Sequence, residues 1–268
     1  MQTLSSAAFL GALVAAQGKS ANRARQDFLQ WSASVGRSYA TYSEMSMREA
    51  VFSNNDDLIK GKNSAANGAK FAHNKFSDLT SSEFQSLYLG GFSREDKDEE
   101  EGGEGLRELQ SLPAAVNWFT AGKVNDVKDQ GACGSCWAFG SMTALEGMIA
   151  IRDSAAPVRL SEQEVVSCSY RKVSRRAGVI GKFYSYGCSG GWADDAVDYV
   201  KYNGVASNAD YPYTQKTGTC VQNTKTKVGF TSGYTVEPRA NVKAAVVAGP
   251  LSIDVQASDW QFYSSGVF

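Results

Sequence analysis

Histidine is almost missing: the 268 residues hold one, His73. A single imidazole cannot build a histidine-rich metal centre. Neither sign of charge dominates, because 27 basic residues face 28 acidic ones for a net charge of −1. That balance gives no electrostatic case for a nucleic acid or a membrane surface as partner. No apolar run approaches bilayer-spanning length; the longest, Ala7–Ala16, falls well short. No N-x-S/T acceptor occurs, so N-glycosylation is not expected. Internal repeats and a twelve-residue calcium loop are also missing, and no metal or cofactor is expected.

The composition is that of a globular protein, with 43% apolar and 21% charged residues. The length allows one large domain or two smaller ones. Residues 1–16 read as a secretory signal peptide, a short polar start followed by the apolar run and small residues suited to cleavage. Five cysteines in a secreted chain imply two disulfides and one leftover thiol, and spacing alone does not choose the pairing.

The chemistry concentrates in Gln130-Gly-Ala-Cys133-Gly-Ser-Cys136-Trp-Ala-Phe139. Ala138, Met142, Leu145 and Ile149 follow at helical spacing and line one face. Ser135 is the expected N-cap, which puts Cys136 in the first turn. Free backbone N–H groups and the helix dipole there favour a thiolate, the nucleophilic form. A CxxC pair also suits half a zinc site or a redox dithiol, but further ligands and a surrounding βαβ pattern are absent.

Cys133-Gly-Ser-Cys136-Trp137 matches the papain and cathepsin signature literally, and the chain resembles a papain-family cysteine protease of the cathepsin L-like type. The resemblance implies an α+β, papain-like two-lobe fold, with a helical lobe, an antiparallel β lobe and a helical N-terminal propeptide. It also implies the disulfides Cys133–Cys188 and Cys168–Cys220, which leave Cys136 as the free nucleophile. Each bridge would close a loop of some fifty residues, worth about 4 kcal/mol on the chain-entropy account. Gln130, with the backbone N–H of Cys136, would stabilise the oxyanion.

Other stretches extend the likeness. Residues 25–63 read helical, with a break at Gly36-Arg37-Ser38. Phe28 and Trp31 share one face, and Glu44, Arg48, Phe52, Asn55, Ile59 and Asn63 form a slowly drifting stripe. That stripe suits an amphipathic helix with a Glu44–Arg48 salt bridge, and it also matches the interrupted E-R-F-N-I-N motif of papain-family propeptides. Asn74, Phe76 and Asp78 match the second propeptide motif, with Ala72 where glycine is usual; His73 falls at a variable position and reads as a half-exposed propeptide side chain. The acidic run 95–104 carries seven acids against one lysine and reads as an extended linker. The expected organisation is therefore signal peptide 1–16, inhibitory propeptide 17–94, acidic linker 95–111 and peptidase domain 112–268.

Within the peptidase domain, Ser161 with Glu164 forms a capping box opening a short helix. The basic stretch within 169–187 reads as a surface loop. By resemblance, Gly190 and Gly191 would offer backbone groups to an extended substrate, and Trp192, Ala193 and Asp254 would line the second specificity pocket. Asp254 there would favour a basic substrate side chain. Leu251, Ile253 and Val255 alternate as one face of a strand, and Asp210-Tyr-Pro-Tyr213 is another family-like turn.

Papain-like proteases carry their histidine and asparagine roughly 130–150 residues beyond the nucleophile, and no histidine follows His73. The chain thus reads as a zymogen truncated before the catalytic His and Asn, leaving unpaired strand edges and exposed apolar surface. Two functions follow. One is a cysteine endopeptidase, monomeric and made in the secretory pathway for a lysosome, vacuole or the extracellular space, acting on polypeptides and held by its own propeptide. The other is a catalytically inactive pseudoprotease acting as a binding or inhibitory module.

Overall fold

The computed structural model describes residues 22–65, 68–90, 112–170 and 179–267. The expected signal peptide, the acidic run and residues 171–178 of the basic loop lie outside these residues. The described residues form two compact units, one of those up to Phe84 together with those from Ala257 on, and one of those between Gln85 and Gln256. These bounds depart from the sequence-based division: Gln85–Gly90 of the expected propeptide group with the peptidase, and 257–268 of the expected peptidase group with the propeptide.

In the first unit, α1 covers residues 22–34 and α2 covers Tyr42–Ala65. The break falls where Gly36 takes φ +67°, a left-handed conformation that suits glycine. Phe28, Trp31 and Phe52 pack as one aromatic cluster. Burying Phe28 fully is worth on the order of 2–3 kcal/mol.

The α2 stripe splits into two jobs. Phe52 and Ile59 are apolar core, while Asn55 is a buried donor to the carbonyls of Ser77 and Leu79, at 3.0 and 2.8 Å. Asn63 exchanges two bonds with the backbone of Phe71. Arg48 does not pair with Glu44. It reaches Glu83 at 2.8 Å and the carbonyl of Asp78 at 2.9 Å, while Glu44 accepts from the Ala40 N–H at the helix start. The Ala40 N–H just before α2 offers Glu44 a free donor, and Glu83 offers Arg48 a two-oxygen grip.

Strand β1 (Lys70–Phe71) pairs antiparallel with β4 (Tyr263–Ser265). Between β1 and the short helix α3 (Ser81–Phe84), Asn74 donates to the Gln261 carbonyl at 2.7 Å and accepts from the Phe76 N–H. Asp78 accepts from Tyr39 Oη and pairs with Arg37 at 3.2 Å. The φ of Ala72 is not left-handed, so this backbone does not require the glycine that the propeptide motif led one to expect there.

The second unit is built on α4 (Cys136–Arg152), α5 (Glu162–Cys168) and α6 (Ala193–Asn203). Ala138, Met142, Leu145 and Ile149 face the core as the spacing predicts, packed with Val165, Val166, Tyr199 and Val200. A two-stranded antiparallel sheet joins β2 (Val205–Ala206) to β3 (Lys227–Gly229), and α7 covers Val242–Ala248.

Ser161 caps α5 by accepting from the Glu164 N–H at 2.9 Å, but the box is only half closed. Glu164, fully buried, instead accepts from Tyr199 Oη, the Ala206 N–H and Lys227 Nζ. A buried carboxylate needs several donors, and the capped N–H alone would supply one. Lys128 likewise serves two buried carboxylates, Glu146 at 2.6 Å and Glu162.

The expected strand over Leu251–Val255 is absent. That segment is irregular, with Ile253 and Val255 exposed. No strand among the described residues pairs with it, and alternation alone cannot hold a ladder without a partner edge.

Candidate active site

Cys136 opens α4, and the chain reaches it through a short, tightly folded loop. The Cys133–Cys188 disulfide anchors that loop, and Gly134 donates its N–H to the Cys188 carbonyl at 2.8 Å. The second bridge joins Cys168 to Cys220, so Cys136 is the free cysteine that the resemblance implied; the residue reaches solvent, although protein surrounds much of its sulfur.

Ser135 holds the N-cap position as expected and Cys136 opens the first turn, but the Ser135 hydroxyl lies 2.7 Å from Tyr213 Oη and makes no cap hydrogen bond.

The thiol itself is not primed in this structure. Desolvation by the surrounding protein raises its pKa above the ordinary cysteine value, and the negative charge of Asp254 adds to the rise. The backbone N–H groups of Trp137 and of Cys136 itself pull the other way, as the helix-start argument anticipates, but they do not win. The single histidine belongs to the first unit and bonds Asp56 at 3.3 Å.

Gln130 presents its side-chain Nε2 to two carbonyls, Tyr88 at 2.8 Å and Cys133 at 2.7 Å. The bond to Tyr88 means that the candidate oxyanion donor already holds a backbone carbonyl. Tyr88 belongs to the π-helical turn Gln85–Leu89.

Gly90 follows and lies against the backbone of the Ser189-Gly190 turn. A Cβ on Gly90 would come within 2.7 Å of the Ser189 carbonyl and 2.8 Å of Gly190 Cα. Gly134 is equally tight, with the Cys188 carbonyl at 2.7 Å and Gly90 N at 2.8 Å from its added Cβ. Gly191 presses on the Trp137 ring, Trp192 precedes α6, and the Ala193 carbonyl accepts from Ser141 Oγ. The structure therefore brings Gln130, Cys136, Gly190 and Asp254 into one unit together with Tyr88 and Gly90.

The roles of Tyr88, Gly90 and Tyr213 were not read from the sequence. A glycine directly after an aromatic and an apolar residue was the faint signal for the first two. For Tyr213 the only signal was its place in the Asp-Tyr-Pro-Tyr turn. Among the described residues no cluster of potential metal ligands occurs, and no helix is long and apolar enough to cross a membrane.

A free thiol at a helix start, a glutamine amide bonded to a backbone carbonyl and a backbone segment packed on a glycine turn thus lie within the second unit. Residues 112–268 match the papain family cysteine protease domain, and residues 28–84 match the cathepsin propeptide inhibitor domain. The chain belongs to the papain family of cysteine proteases.

It is 34% identical to cysteine protease XCP2 of Arabidopsis thaliana, covering 90% of this chain and 67% of that protein. It is 34% identical to cathepsin L 2 of Paramecium tetraurelia, covering 90% of this chain and 73% of that protein. Among solved structures it resembles a recombinant stem bromelain precursor, with a TM-score of 0.78 and 32% identity over 92% of this chain and 77% of the other. The chain spans about two thirds of the length of the curated relatives it matches. The two disulfides fit an oxidising, secretory-pathway compartment.

Proposed function

We propose that this chain is the zymogen form of a cysteine endopeptidase in which Cys136 attacks the peptide carbonyl and Gln130 Nε2, with the Cys136 N–H, holds the oxyanion. The Gln130–Tyr88 hydrogen bond carries this reading, because it supplies to a backbone carbonyl the donation that a tetrahedral intermediate would need. Gln85–Gly90 is then the inhibitory segment of the propeptide. It occupies the cleft floor at Gly190, where an extended substrate would lie. On this reading the acidic linker 95–111 joins the propeptide to a peptidase domain beginning at residue 112. Activated protein works as a monomer on polypeptides, without nucleic acid, in a lysosome, vacuole or the extracellular space.

Trp192, Ala193 and Asp254 are assigned to the second specificity pocket, where the carboxylate of Asp254 favours a basic side chain. The general base is an imidazole; the one histidine of this sequence, His73, belongs to the first unit and bonds Asp56. A chain carrying the histidine- and asparagine-bearing strands of papain-family members is expected to hydrolyse a fluorogenic peptide, and Cys136→Ala should abolish that activity. In the same chain Asp254→Ala should erase a preference for arginine over leucine. A folded chain so completed that cleaves nothing contradicts the proposal and favours a non-catalytic binding module.

A further inference from the structure

The loop from Gln130 to Ser135 carries the oxyanion candidate at one end and abuts the nucleophile at the other. One hydroxyl spans it. Tyr213 Oη lies 2.8 Å from the Gln130 backbone carbonyl and 2.7 Å from Ser135 Oγ. A carbonyl only accepts, so the single phenolic proton goes to Gln130, and the Ser135 hydroxyl must donate to the phenolic oxygen. Ser135 is fully buried, and its other acceptor, the Cys133 carbonyl, stands at 3.5 Å. The bond to Tyr213 is therefore the one that satisfies it.

The Tyr213 ring packs edge-on against Phe139 of α4, with centroids 4.9 Å apart. The neighbouring Gln215 side chain closes over Gly131, whose added Cβ would meet Gln215 Oε1 at 2.1 Å. Desolvation pushes the phenol pKa up, so the proton the bond needs stays in place at physiological pH.

We propose that Tyr213 is a positioning residue for the peptidase site: its hydroxyl ties together the two ends of the 130–135 loop and so sets the Gln130 amide relative to Cys136. The chain of contacts is Tyr213 to backbone, backbone to Gln130 side chain, and Tyr213 through Ser135 to the residue preceding the nucleophile. The inference rests on the peptidase reading for its purpose, but its geometry is tested separately.

The test uses the full 268-residue chain with both disulfides intact. Tyr213→Phe removes the hydroxyl and keeps the ring on Phe139. The readout is solvent exchange of the Gln130 side-chain amide protons by NMR, with the Asn55 side-chain amide as internal reference. Tyr213→Phe is expected to speed Gln130 exchange by about tenfold or more, the scale of one lost hydrogen bond, with Asn55 unchanged. Phe139→Leu, which removes ring packing and keeps the hydroxyl, is expected to leave Gln130 exchange as it was. Unchanged Gln130 exchange in Tyr213→Phe overturns the proposal. Equal effects of both variants, or loss of protection throughout α4, also overturn it by showing a general structural role.

The peptidase reading fails on different evidence, an inert Cys136. A reactive Cys136 with an indifferent Gln130 amide would sink only the Tyr213 proposal.

Discussion

Gln130 Nε2 donates to the carbonyl of Tyr88 at 2.8 Å, so the residue assigned to stabilise a substrate oxyanion is holding the chain's own backbone. This one bond joins the cysteine signature to the Gln85–Leu89 turn. It also explains why residues so far apart in sequence fold into one unit. The consequences can be measured.

Gly90 is the tightest point of that contact. It has φ +71° and leaves no room for a Cβ. Gly90→Ala should cost about 1–2 kcal/mol in backbone strain before the collision with Ser189 and Gly190 is counted. Hydrogen exchange of the 85–90 peptide is expected to speed up, while α4 keeps its protection. An unchanged 85–90 peptide would show that the segment is not held there.

Desolvation first, and then the charge of Asp254, raises the Cys136 thiol above the ordinary cysteine range. A raised pKa means less thiolate at neutral pH, so alkylation by iodoacetamide should rise with a midpoint above that of free cysteine. Asp254→Asn removes the charge and should shift the midpoint down, giving faster labelling at pH 7. A profile at or below that of free cysteine would contradict this account of the resting thiol.

His73 stacks on Phe52 and bonds Asp56. Burial lowers its pKa against the opposing pull of Asp56 and Asp27, with Lys60 adding to the fall. A histidine whose folded pKa is lowered contributes stability that is complete above its unfolded pKa. That contribution is lost as pH falls from there through the folded value. The first unit should therefore lose stability on mild acidification, and His73→Gln should reduce the pH dependence of its urea midpoint. An unchanged slope would remove His73 from the account.

Lys128 stands between two buried carboxylates, Glu146 and Glu162. Burial already pushes Glu162 toward its protonated form, against the pull of Lys128. Lys128→Met strands both acids and should cost roughly 3–5 kcal/mol in denaturant unfolding. A loss under about 1 kcal/mol, the range of exposed pairs, would contradict the burial argument.

Much of this was legible because periodicity and short motifs act locally. The α4 stripe, the break at Gly36, the core positions Phe52 and Ile59, and the free Cys136 all follow from residues close in sequence or from the family signature. What failed depended on partners far along the chain. Ser135 gave up its cap for Tyr213, Arg48 left Glu44 for Glu83, and Glu164 turned from its capping box to Lys227 and Tyr199. Leu251–Val255 alternates correctly yet forms no strand, because a strand is a property of a pair of edges. For the thiol, the N–H groups of the helix start pull the Cys136 pKa down as the helix argument expects, while desolvation and Asp254 push it up further.

The most direct measurement is acylation of the chain by p-nitrophenyl acetate, whose acyl group is too small to need the cleft that Gln85–Gly90 is proposed to fill, followed by intact mass and peptide mapping. Such an ester needs only a thiolate, and without a general base the acyl-enzyme should persist. The account predicts a single adduct on Cys136, forming faster as pH rises and absent from Cys136→Ser. No adduct at any pH, or adducts scattered over lysines with Cys136 spared, would contradict it.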